Sequence, residues 1–145
     1  MDEVYKKIRA WAGERNFFTE SSAKAQFVKL IEEWKEIPND PKDGVGDSLI
    51  VLIILAAYFG IELETHVPRV TDKSDMELLG NLANALNKSL DPLTAIRELY
   101  ARLHTIPVQH GLGMYACLVH SFAIISNRQG KMIAGTWVKE SDIPV

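Results

Sequence analysis

The segment Leu49-Ile50-Val51-Leu52-Ile53-Ile54-Leu55-Ala56-Ala57-Tyr58-Phe59-Gly60-Ile61 runs for 13 residues without a charge. A bilayer-spanning helix needs ~20 apolar residues, so this run is too short to cross a membrane. It also has no polar face, so it does not read as a surface helix. It predicts a helix buried on nearly every side, or one placed at a subunit interface. A chain of 145 residues can build one such core, and a single domain over 1–145 is expected.

The flanking sequence supplies the helices that would surround it. Val4, Tyr5, Ile8 and Ala12 fall at helical spacing. Ser21-Ser22 offers an N-cap, and Ala23, Phe27, Leu30, Ile31 and Trp34 recur with a period near 3.6, predicting a second helix over 22–37 that Pro38 stops. The third helix is expected from near Asp43 to Phe59, with Gly60 as its stop. Glu62 to Asp72 contains Pro68 and reads as an exposed loop. Ser74 can cap a helix whose buried stripe would be Met76, Leu78, Leu79, Leu82, Ala83 and Leu86. Asp91-Pro92 opens another through Leu103, and a last helix is expected over about 112–126. Asn127 to Lys131 reads as a turn and Met132 to Val138 as extended. Placing Gly60 on Gly111 brings Asp47 onto Glu98, and Glu33 and Glu36 onto Asn84 and Asn87. The expected fold is all-α: a helical bundle of two related helical hairpins with four to five helices, the apolar third helix favouring a homo-oligomer.

Charge narrows the partners. Net charge is −3, and the 16 basic residues form no dense block, so a nucleic-acid footprint is not expected. The lone Cys117 cannot form an internal disulfide, and Met1 to Lys7 lacks the apolar core of a signal peptide, so a reducing, cytoplasmic setting is expected. Cys117 lies in an apolar stretch and reads as core rather than nucleophile. His66, His104, His110 and His120 have no ligand spacing, which argues against zinc.

Six carboxylates fall within sixteen residues: Glu32, Glu33, Glu36, Asp40, Asp43 and Asp47. Glu33 and Glu36 are three apart and Asp43 and Asp47 four apart, so each pair shares one side of its helix. The connection between the two helices is short, so they are antiparallel neighbours and their acids face one another. Such a cluster is either a solvated acidic face or a site for a hard divalent cation, which offsets the mutual repulsion. An EF-hand does not fit, because with Gly44 at the loop glycine the end positions would be Asn39 and Ile50.

Glu32-Glu33-Trp34-Lys35-Glu36 has the form E-E-x-x-E, and Gly46-Asp47 precedes an apolar run. Asn127-Arg128-Gln129-Gly130-Lys131-Met132 through Glu140 is similar to an R-K-G-K-M-x-x-G-x-F-x-K-E tail. In this order, with the stretches Trp11 to Phe17 and Ala25 to Leu30, these segments resemble the phage-type members of the MazG-like, all-α nucleoside triphosphate pyrophosphohydrolases. One departure is Gly44, three residues before Asp47, where the family's second motif carries an acid; Asp43 is the nearest substitute. The resemblance implies Mg²⁺-dependent hydrolysis of (deoxy)nucleoside triphosphates to monophosphate and pyrophosphate, with Mn²⁺ as a possible substitute. It implies Glu33, Glu36 and Asp47 as metal ligands, Asp43 as a provisional fourth, and Glu32 to orient or deprotonate the attacking water. Lys29, Arg128 and Lys131 are candidates to hold phosphates, and Trp11, Phe17 and Trp34 to stack on a base. It further implies a homodimer or homotetramer. A non-catalytic nucleotide or alarmone binder on the same fold, and a purely structural helical module, are the competing readings.

Overall fold

Helix boundaries fall where side chains can hold the first turn. The computed structural model describes residues 2–143. Its helices are α1 (Asp2–Glu14), a single turn α2 (Phe17–Glu20), α3 (Ala23–Glu36), α4 (Pro41–Ala57), α5 (Asp75–Asn87), α6 (Leu93–Thr105) and α7 (Met114–Ile125). Ser22 Oγ accepts from the Ala25 amide at 3.1 Å, Asp40 Oδ1 from Asp43 at 3.3 Å, and Ser74 Oγ from Glu77 at 3.2 Å. Each satisfies an amide that the helix itself leaves unpaired. After α7 the chain forms an antiparallel hairpin of β1 (Gly130–Ile133) and β2 (Thr136–Lys139), with Ile133 paired to Thr136. The expected extended stretch is therefore two strands, and the turn lies at Ala134-Gly135, both at positive φ.

The protein is mostly helical, with α4 at its centre. Every residue from Gly44 to Ala56 except Asp47 is buried, and α4 is packed by α1, α3, α6 and α7. This corrects the expectation that the apolar helix needs a second subunit: one chain covers it. The cover works because α4 carries glycine where neighbours come closest. A Cβ on Gly44 would sit 2.6 Å from the Ile37 Cα, and one on Gly46 would overlap the Ser121 hydroxyl and the Cys117 carbonyl of α7. Cys117 is fully buried, as its apolar setting implied. What stays open is the outer face of α7, where Tyr115, Val119 and Ile124 are exposed.

The two-hairpin organisation holds at the level of the elements. A shift of 51 residues carries 23–36 onto 74–87 and 41–57 onto 92–108, close to the observed α5 and α6. Gly60 and Gly111, the two stops, share a left-handed backbone at φ 69° and 70°, which costs glycine little. The segment over 62–72 is not a free loop. Leu63 is fully buried, the Arg9 guanidinium holds the Glu64 carboxylate at 2.7 and 2.5 Å, and Arg97 Nε donates to the Val67 carbonyl at 2.8 Å. Met76, expected in the buried stripe of α5, is exposed, whereas Leu78, Leu82 and Ala85 are buried. No single helix among the described residues is long and apolar enough to cross a membrane.

Two glycine-to-alanine substitutions should move stability in opposite directions. Gly80 stands in α5 with open space where an alanine methyl would sit, so Gly80→Ala should stabilise by about 0.5–1 kcal/mol through helix propensity. Gly46→Ala forces α4 and α7 apart and should destabilise by about 1–3 kcal/mol. Urea unfolding of both variants checks the pair; equal shifts would mean that α4 and α7 do not meet at Gly46.

Candidate active site

The short connection after Ile37 turns α3 back on α4 and sets Glu33 across from Asp47. Both line a cleft of about 390 Å³. Lys29, one turn before Glu33, lines it too, as do Arg128 after α7, Lys139 of β2 and Asp142. The site is thus three carboxylates and three cations held by four parts of the chain. Lys29 Nζ lies 3.2 Å from Glu33 Oε1, and Lys139 Nζ lies 3.7 Å from Asp142 Oδ2. Asp47 has no ammonium or guanidinium within ion-pair distance among the described residues. Burial pushes its carboxyl up to about 6, and the charge of Glu33 adds to the shift. The Ser121 hydroxyl pulls the other way, Asp43 adds a smaller rise, and Arg128 a smaller fall.

The other expected site residues are dispersed. Glu32 is exposed and does not line the cleft; its carboxylate lies 3.7 Å from Lys29 Nζ. Glu36 is exposed, with its carboxylate accepting from the Asn39 amide at 3.3 Å. Asp43 faces His120 of α7, Nε2 to Oδ1 2.5 Å, an engagement that sequence spacing did not reveal across 77 residues. Lys131 is exposed on β1 and does not line the cleft. Trp34 is a correction: it is buried in the core and its indole donates to Asp75 Oδ2 at 3.3 Å, so it is not placed to stack on a ligand in the cleft. Lys139, Asp142 and Trp137 were missed as site residues, although the tail motif contains two of them.

Among the described residues no three His, Cys, Asp or Glu side chains come together in an arrangement that would hold a metal ion. The donors facing the cleft nevertheless suit a hard cation that arrives with its ligand. Mg²⁺ is commonly held by one or two carboxylates, retained waters and substrate phosphates rather than by an all-protein cage. Glu33 and Asp47 meet that requirement, and Asp47, raised chiefly by burial, has no ion-pair partner among the described residues.

That shortage predicts a pH effect. The Asp47 pKa is higher in the folded chain than the ordinary 3.8, so its contribution to stability is greatest below about pH 4 and is lost as pH rises through about 6. Asp47→Asn removes the titration. The variant should melt about 2–4 °C above the parent at pH 7.5, with the gap closing by pH 4. Parallel melting curves across that range would show that Asp47 is not strained by its surroundings.

No family model matches the chain. It is similar to an uncharacterized 18.2 kDa protein from the rep-hol intergenic region of Haemophilus phage HP1, 33% identical over 81 residues, which is 50% of this chain and 46% of that protein. The matched part thus spans about half the length of that relative. No solved structure matches.

Proposed function

We propose that the cleft binds a nucleoside triphosphate with Mg²⁺ and hydrolyses it at the α–β phosphoanhydride. The observation that carries this reading is the pairing of Glu33 and Asp47 in one cleft with Lys29, Arg128 and Lys139. Acids alone would repel a polyphosphate, and cations alone would not recruit a metal; the mixture suits a metal–polyphosphate complex. The motif resemblance supports the same class.

Glu33 and Asp47 would hold the metal, and the exposed Glu36, one helical turn beyond Glu33 but outside the cleft lining, would reach it only by turning its side chain away from Asn39. The metal, when bound, offsets phosphate charge and lowers the pKa of a water. Lys29, Arg128 and Lys139 hold the outer phosphates by charge-assisted hydrogen bonds. A water oxygen bonds to the α-phosphorus, the bond from that phosphorus to the α–β bridging oxygen breaks, and pyrophosphate leaves with the electron pair. Glu32, whose carboxylate lies 3.7 Å from Lys29 Nζ, would take the proton of that water. Self-association belongs to the same reading, through the apolar outer face of α7, and sedimentation at micromolar concentration checks it.

A second reading, nucleotide binding without turnover, is favoured by one observation: Asp43 is engaged by His120 and Gly44 supplies no acid in its place. A panel of triphosphates with Mg²⁺ or Mn²⁺, scored for monophosphate and pyrophosphate, separates the two. Thermal stabilisation by nucleotide with no release of pyrophosphate would select the binder.

Under the hydrolytic reading, Glu33→Gln, Asp47→Asn and Glu36→Gln should each lower turnover by at least about a hundredfold, since the metal supplies several kcal/mol of charge stabilisation. Glu36 is exposed and bonded only to Asn39, so Glu36→Gln should leave the metal-free melting temperature unchanged. Normal turnover per folded molecule in all three variants would remove these acids from the chemistry.

A further inference from the structure

Beside the charged cleft lies a smaller cavity of about 60 Å³ that shares Lys29, Ile50, Val51, Ile125 and Trp137 with it. Its far walls are Trp11 and Phe17, whose ring centroids lie 5.4 Å apart, and Trp137, 5.8 Å from Trp11. Apolar walls alone would call for no ligand. Polar atoms in these walls, however, are left without partners. The indole N–H groups of Trp11 and Trp137 are buried and make no hydrogen bond among the described residues, although Trp11 is only 5% exposed. A buried donor left unpaired costs about 1–3 kcal/mol, and native interiors pair most of theirs. The third polar group is Gln26, 3% exposed and lining the same cavity. Its amide nitrogen donates to Ser21 Oγ at 3.1 Å, so its carbonyl oxygen is the group left to accept.

We infer that this cavity is a nucleobase subsite selective for pyrimidines. The inference rests on the nucleotide reading of the adjoining cleft, and it adds the class of base. The residues lining the cavity carry two unpaired donors and one acceptor. Uracil and thymine offer two acceptors (O2, O4) and one donor (N3–H); cytosine offers O2 and N3 as acceptors and its 4-amino group as donor. Both complement the inventory. On the Watson–Crick edge adenine offers one of each (N1 and the 6-amino group) and guanine one acceptor (O6) against two donors, so a purine entering by that edge leaves an indole unpaired. Size points the same way: the cavity is only about 60 Å³, and two fused rings need more room than one. The aromatic walls provide faces on which a base stacks. A site built to pair polar groups discriminates against ligands that leave those groups unpaired.

The test uses α,β-imido analogues of dUTP, dCTP, dATP and dGTP, which cannot be cleaved at the α–β position, with Mg²⁺ and calorimetric detection of binding. Both pyrimidine analogues should bind at least about tenfold tighter than either purine analogue. Trp137→Phe keeps a ring and removes one N–H; it should narrow the preference to about threefold or less, while purine affinity stays within about twofold. Trp11→Phe should do the same, and serves if Trp137→Phe fails to fold. Equal affinity for the four analogues, no binding of any, or a preference untouched in both folded variants would overturn the subsite. A pyrimidine preference in binding, with no pyrophosphate released from the parent triphosphates, would keep the subsite and sink the hydrolytic reading. Release without base preference would do the reverse.

Discussion

The approach of α4 to α7 at Gly46 is the contact on which the rest of the molecule depends. Because Gly46 has no side chain, the α4 backbone can lie against the Cys117 carbonyl and the Ser121 hydroxyl. That approach closes the core over Leu49, Leu52 and Ile53, all fully buried. It also fixes the next residue, Asp47, at the edge of an apolar interior. The same packing that excludes water from the core therefore raises the Asp47 carboxyl toward neutral pH. Fold and site are consequences of a single close approach, and neither can be adjusted without the other.

Gly44 plays a related part on the other side of α4, against the turn at Ile37. No acid could be carried there without moving the α3–α4 connection, so the glycine at this position has a steric cause. Asp43, the nearest acid, is engaged by His120 on α7, and its charge also acts on Asp47. The charge pattern at this end of α4 is thus set by what the neighbouring backbone leaves room for, and the cleft is left with two acids from the hairpin.

The helices were legible in the sequence because their signals are local. Ser22 and Ser74 each cap within three residues, and apolar periodicity gives the face each helix buries, whereas the start expected near Asp43 lies two residues inside α4, which Asp40 caps. The facing of Glu33 and Asp47 was legible for the same reason, since a short connection forces adjacent helices to be antiparallel. Periodicity names a buried face but not the neighbour it meets. Trp34 therefore read first as core and second as a stacking residue, and its partner Asp75, 41 positions away, was not legible. Trp137 and Gln26 are more than one hundred residues apart, and no spacing rule connects them. The premise that α4 lacks cover within one chain did not hold, because the inner face of α7 is itself apolar and packs on it.

The two hairpins treat their matching acids in opposite ways. Glu98, which the 51-residue shift places on Asp47, is 3% exposed and carries its own counter-charge, with Lys73 Nζ at 3.1 Å. Asp47 is left without one. If both halves descend from one duplicated unit, the second has become self-sufficient and the first has stayed dependent on what comes from outside. Such a division lets the two tasks drift separately. Substitutions accumulating around Glu98 would be screened for foldedness alone, whereas those around Asp47 would be screened for what the cleft holds, so related chains should vary by different rules in their two halves.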